Sequence, residues 1–118
     1  MKKLLALICL LALTGCGGGE IEVEPFSYEE TVSKYSGDSP GVARDGFKNT
    51  SQVEIKDAED AIERSKNEVT VDYDSVMVSY DDSSDMWFVM YYSENKVGGN
   101  QDIYLDSNGV TQMIVYGE

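Results

Sequence analysis

From residue 69 to residue 116 the chain runs through stretches rich in Val, Ile, Tyr and Trp, broken by clusters of Asp, Ser, Asn and Gly. Alternation with period two sends successive side chains to opposite faces, so this half of the chain is committed to strands. In residues 69–80 (VTVDYDSVMVSY), Val69, Val71 and Tyr73 alternate in one phase and Val76, Val78 and Tyr80 in the other. The phase change at Asp74-Ser75 predicts a bulge or a break. Residues 86–93 (MWFVMYYS) are apolar on both faces: Trp87, Val89 and Tyr91 on one, Met86, Phe88, Met90 and Tyr92 on the other. Such a strand is either central and covered on both sides, or presents one sticky face. Residues 101–106 and 110–116 are two further strands, joined through Ser107-Asn108-Gly109, whose Asn-Gly step is a strong hairpin signal. Asp81 and Asp85 bracket a turn, and residues 94–100, with Gly98-Gly99, form a loop.

One helix precedes the strands. Ala58, Ala61, Ile62, Ser65 and Val69 recur at spacings of three and four, which makes one small, apolar face. Asp57 is placed to cap the helix, and Glu59 and Asp60 put negative charge at the positive end of its dipole. Asp60 with Arg64, and Glu63 with Lys66, have the spacing of weak ion pairs on the outer face. The helix is predicted over residues 57–67, and its small residues allow close approach to a sheet. The expected fold is α+β: one helix packed on a four-stranded antiparallel meander, residues 53–118 forming one small domain.

Residues 16–52 read as a tether and irregular segment. Gly17, Gly18 and Gly19 make a flexible spacer. Glu20 to Pro25 alternates acidic and apolar residues, which suits a short edge strand or a solvated extended stretch ended by Pro25. No period persists from residue 26 to residue 52, and residues 36–41 are a turn cluster. Phe26, Tyr28, Tyr35 and Phe47 are too aromatic for a pure linker and are expected to pack on the domain.

The first 15 residues read as a signal peptide. Lys2 and Lys3 precede an apolar run of ten residues at 4–13, half of the roughly 20 that a spanning helix needs. Leu13-Thr14-Gly15-Cys16 then sets small residues before a cysteine. The pattern resembles the lipobox of bacterial lipoproteins. The resemblance implies cleavage before Cys16, a diacylglycerol on the Cys16 thiol, and a cell-membrane location facing the extracytoplasmic side, at the outer membrane if the cell has one.

Cleavage would leave 103 of the 118 residues. Lys+Arg would fall from 9 to 7 against 22 acids, for a net charge of −15. That charge argues against nucleic acid, whose phosphates it repels, and against an electrostatic patch for anionic lipid. It suits a basic protein partner. Cys9 leaves with the signal and Cys16 takes the lipid, so no disulfide is expected. The chain has no His, which removes the commonest general base and metal ligand. No cofactor is implied.

The helix-then-strands run also resembles the PepSY-like domains of secreted and lipid-anchored bacterial proteins. The residues that carry this are Ala58, Ala61 and Ile62, then Asp85-Met86-Trp87-Phe88-Val89, then Ile103 to Gly109. With Gly98-Gly99 before the penultimate strand, the layout is similar to the small NTF2-fold immunity proteins. The first resemblance implies peptidase inhibition or regulation of a surface protein. The second implies neutralisation of a toxin. Neither implies catalytic residues, and no enzyme activity is expected.

Among candidate chemistries, Asp81, Asp82 and Asp85 share one turn and Asp106 and Asn108 another. A calcium loop needs six to eight oxygens in a set order, and that order is absent, so these read as turn formers that bond their own backbone. Asp72 and Asp74 flank Tyr73 and could act as paired carboxylates of a surface enzyme, but nothing in the sequence builds a pocket around them. The aromatic set is the strongest lead. Trp87, Val89 and Tyr91 are expected beneath the helix. Phe88, Met90 and Tyr92 then point the other way, as a protein-binding strip rimmed by acids, unless residues 26–52 fold over it.

Overall fold

The computed structural model describes residues 21–37 and 40–117. Strands β1 (Val23–Pro25), β2 (Val42–Ala43), β3 (Ser75–Asp81), β4 (Met86–Tyr92), β5 (Gln101–Asp106) and β6 (Thr111–Tyr116) form one sheet in the order β1-β3-β4-β5-β6-β2. Helix α1 (Tyr28–Lys34) lies between β1 and β2, and α2 (Ala58–Ser65), continued by a 3-10 turn at Lys66–Glu68, lies between β2 and β3.

The expected four-stranded meander with one helix is therefore corrected. The sheet has six strands and is mixed. β3 to β6 pair antiparallel in sequence, β1 adds to β3 in parallel, and β2 adds to β6 antiparallel. β1 falls within the alternating residues 20–25, which suit an edge strand or a solvated stretch, whereas β2, with two residues, escapes a period reading. A second helix is also present. Ser27 caps it by accepting from the Glu30 amide, and Glu29, Glu30 and Lys34 match its dipole.

The register explains the two faces. Val78 pairs with Val89 and Val89 with Ile103, so Val76, Val78, Trp87, Val89, Tyr91, Ile103 and Leu105 share one face. Ala58 and Ala61 of α2 close on it, together with Ile55 and Ile114. Tyr91, the largest fully buried side chain, places its hydroxyl 2.5 Å from Ser65 Oγ and donates to Ile62 O at 3.1 Å. Burial pushes the Tyr91 phenol up to about 12. Asp57 caps α2 by accepting from the Asp60 amide at 2.9 Å. The phase change at Asp74-Ser75 is a break: β3 starts at Ser75, and the Asp74 amide donates to Tyr92 O at 3.0 Å.

The opposite face holds a second cluster of Met86, Tyr104, Met113 and Val115. Phe26, Tyr28, Tyr35 and Val42 cover it. Residues 21–52 thus supply both edges of the sheet and a lid over part of its second face. A buried polar group ties this segment to the domain. Glu68 Oε2 accepts from the Lys48 and Asn49 amides at 2.8 and 2.9 Å, while Asn49 Nδ2 donates to Arg64 O at 2.8 Å.

Candidate functional site

The lid fixes which part of the second face stays open. Phe88 stacks on Tyr104 with centroids 4.7 Å apart and planes at 8°, and Phe26 covers the pair, 5.5 Å from Phe88. Phe88 is half-buried in this aromatic cluster. Met90 pairs across with Met77 and Asp102 and is half-buried, its sulfur 3.8 Å from Asn100 Nδ2. Tyr92 is also half-buried, beyond the reach of the lid, at the end of β4 where Ser75 opposes it. All three residues of the strip are thus half-buried, Phe88 against the aromatic cluster of the lid and Tyr92 at the end of the strand.

That open end meets a corner built by Ile21. One hollow of about 380 Å³ is lined by Ile21, Glu22, Glu24, Val76, Met77 and Tyr92. A second, of about 430 Å³, lies on the α2 side and is lined by Ile21, Glu59, Asp60, Ile62, Glu63 and Lys66. Polar and apolar side chains line both: Ile21, Val76, Met77 and Tyr92 are the non-ionic residues of the first, Ile21 and Ile62 those of the second. The walls carry five carboxylates, Glu22, Glu24, Glu59, Asp60 and Glu63, against the single ammonium of Lys66. Both hollows are open to solvent.

Ile21, two residues before β1, lines both hollows, and β1 borders the first through Glu24. Its three residues are exposed, Val23 by 42%. Among the described residues it pairs with β3 only at Val78, Ser79 and Tyr80 and ends the sheet on its far side. Because side chains alternate, Glu22 and Glu24 lie on the side of Met77 and Tyr92, and Val23 lies on the side of α2. Sequence reasoning leaves open whether residues 20–25 form a strand. Their alternation carries the signal, but the position of the strand beside β3 is a parallel, long-range pairing that no local pattern encodes.

The other candidates take structural roles. Asp81 is buried. Its Oδ2 accepts from the Tyr28 amide at 2.7 Å and from Ser84 Oγ at 2.8 Å, and its Oδ1 accepts from the Ser83 amide at 2.9 Å. Burial works to raise its pKa, but these bonds outweigh burial and hold the carboxyl below the usual range. Asp85 adopts a left-handed backbone, φ 61°, and accepts from the Tyr80 hydroxyl. Asp106 Oδ1 accepts from the Asn108 and Val110 amides at 2.9 and 3.0 Å. Among the described residues, no group of three or more acids or Cys is placed to hold a metal ion. Asp72 and Asp74 are exposed, and Asp74 Oδ1 accepts from Ser75 Oγ and the Glu94 amide. Asp102, half-buried beside Met90, has its pKa raised by burial, with Asn100 and Lys34 acting in the opposite sense. Cys16 lies outside the described residues. No described helix is long and apolar enough to cross a membrane.

Comparison with protein-family models, with curated proteins and with solved structures finds no match to this chain.

Proposed function

We propose that the chain is an extracytoplasmic binding module, anchored to a membrane by lipid on Cys16, that regulates or inhibits a surface protein such as a peptidase. The observation that carries this reading is the Ile21 corner: two open hollows that share Ile21, lined by apolar side chains and five carboxylates, beside an exposed edge strand. Met and aromatic side chains flanked by charge suit a protein interface, and the acids favour a basic partner. The anchor fits the site. Ile21 is the fifth residue after Cys16, and an extended chain covers at most about 3.6 Å per residue, so Ile21 would lie within about 18 Å of the lipidated residue. The partner would then be met at the membrane surface. The acid walls equally suit a basic toxin, and neutralising one is the second reading.

The test uses the tagged full chain in a bacterium that processes lipoproteins. An alkyne fatty acid should label the wild type and fail to label Cys16→Ser. A crosslinkable residue at Val23 should capture a membrane-associated protein that is lost from Glu22→Lys, Glu24→Lys while near-ultraviolet dichroism stays unchanged. Labelling that persists in Cys16→Ser would refute the anchor. Capture indifferent to the two reversals would refute the binding corner. The identity of the captured protein separates regulator from toxin neutraliser.

A further inference from the structure

We propose that the corner takes an extended segment of alternating cationic and apolar side chains, which adds beside β1 as a seventh strand. The inference rests on the binding reading above and names its geometry. An edge strand offers backbone groups that the sheet does not use, and adding a strand to such an edge is a general mode of peptide capture. β1 covers only Val78 to Tyr80 of β3, a strand that begins at Ser75. A segment added here pairs with the β1 backbone and borders the hollow lined by Ile21, Glu22, Glu24, Val76, Met77 and Tyr92.

Side-chain alternation sets the chemistry of the segment. On one face its residues stand next to Glu22 and Glu24, where Lys or Arg is matched. On the other face they stand next to Ile21 and Val23, where an apolar residue is matched. The same two glutamates set against a second copy of β1 would oppose like charges, which disfavours edge-to-edge self-association. Pro25 closes the strand and limits the docked segment to a few residues. The length and charge of the edge thus select a short basic strand over a second copy of this chain.

The experiment titrates the full chain, in detergent micelles, with three synthetic octapeptides. One alternates Lys and Val, one alternates Glu and Val, and one is the Lys-Val peptide N-methylated at every second residue. Affinity is read by fluorescence anisotropy, and backbone amide shifts and hydrogen exchange are followed at residues 21–24. The expected result is saturable binding of the Lys-Val peptide alone, with slowed exchange in β1. Glu22→Gln, Glu24→Gln should weaken it at least tenfold while near-ultraviolet dichroism stays constant. Equal binding of the N-methylated peptide would overturn strand addition and leave the acidic corner as a binding site. Binding of the Lys-Val peptide that ignores the two Gln substitutions would overturn the assignment to this edge. No binding of the Lys-Val peptide would overturn the inference outright, whereas the function is judged separately by capture at Val23.

Discussion

The Asp81 carboxylate and the Tyr28 amide, 53 residues apart, are joined by a hydrogen bond of 2.7 Å. It fastens the first turn of α1 to the end of β3. At the far end of the lid, Arg44 donates from Nη2 to the Tyr35 carbonyl and contacts Met113 Sδ from Nη1 at 3.3 Å. α1 buries no residue completely, so these two clasps and the Phe26, Tyr28 and Tyr35 rings hold it down. Asp81→Ala deprives the Tyr28 and Ser83 amides and the Ser84 hydroxyl of their acceptor. The expected loss is about 1–3 kcal/mol in urea denaturation followed by Trp87 fluorescence. Faster hydrogen exchange in residues 28–35 should accompany it.

Two carboxyls give stability opposite slopes with pH. Asp81 has a depressed folded pKa. Its contribution is present above the unfolded carboxylate value, about 3.9, and is lost as pH falls through the folded value. Asp102 has a raised folded pKa, so its contribution is complete below the unfolded value and is lost as pH rises through the folded one. Lys34 and Asn100 are the groups that favour its charged form. On acidification from pH 7, stability should first rise as Asp102 takes its proton, helped by relief of the chain's net charge of −13. It should fall below about pH 4 as Asp81 is protonated. Urea midpoints from pH 3 to 7 measure this. Asp102→Asn should flatten the upper limb, and Asp81→Asn the lower.

Much of the centre of this fold is legible from local pattern. Period-two alternation places Trp87, Val89 and Tyr91 beneath α2, and Ala58 and Ala61 pack there with them. The pairing of the edge strands was not legible, because pairing of Val23 with Val78 or of Val42 with Val115 depends on contacts far apart in sequence. α1 left a fainter trace. Ser27 and Glu30 have capping-box spacing, and Tyr28, Thr31 and Tyr35 recur at three and four, but seven residues with one exposed Val make a weak periodic signal. Of the candidate strip, the sequence shows that Phe88, Met90 and Tyr92 share a face. It does not show that Phe26 packs against Phe88, since that is a tertiary contact.

Gly109 is constrained twice. It turns the β5–β6 hairpin at φ 77°, and a Cβ there would lie 2.7 Å from Val53 O and 2.9 Å from Arg64 Nε. The crowding follows from residues 53–55 running beside the turn, where the Val53 amide donates to Asn108 O at 2.7 Å and the Ile55 amide to Ser107 O at 2.9 Å. Gly109→Ala therefore adds backbone strain to a clash with main chain. A loss of about 2–3 kcal/mol is expected by thermal or urea unfolding. Gly99→Ala shares the positive φ without the crowding and should cost about 1 kcal/mol.

Tyr91→Phe isolates one hydroxyl in the main core. It removes the group that bridges Ser65 Oγ and Ile62 O while keeping the ring, which packs edge-on to Tyr73 at 4.8 Å. Ser65 keeps its own bond to Ile62 O at 3.1 Å, so the partners are not both stranded. The expected cost is about 1 kcal/mol. Ultraviolet titration should also lose one tyrosine that ionises near pH 12 in the wild type, where burial raises Tyr91 and the Asp85 hydrogen bond raises Tyr80.

Phe88 and Tyr92 sit four residues apart on one strand face and should answer differently to truncation. Phe88 contacts both Phe26 and the stacked ring of Tyr104, so Phe88→Ala removes one of these three mutually packed rings of the lid cluster. About 2 kcal/mol should be lost, with weakened near-ultraviolet dichroism from the displaced rings. Tyr92 lines the open hollow at the Ile21 corner, and Tyr92→Ala should change stability by no more than about 1 kcal/mol. Capture through Val23 should show the reverse order: nearly lost in Tyr92→Ala, and retained in Phe88→Ala at temperatures where that variant stays folded. Equal destabilisation by both would place Tyr92 in the core and take its ring away from the binding corner.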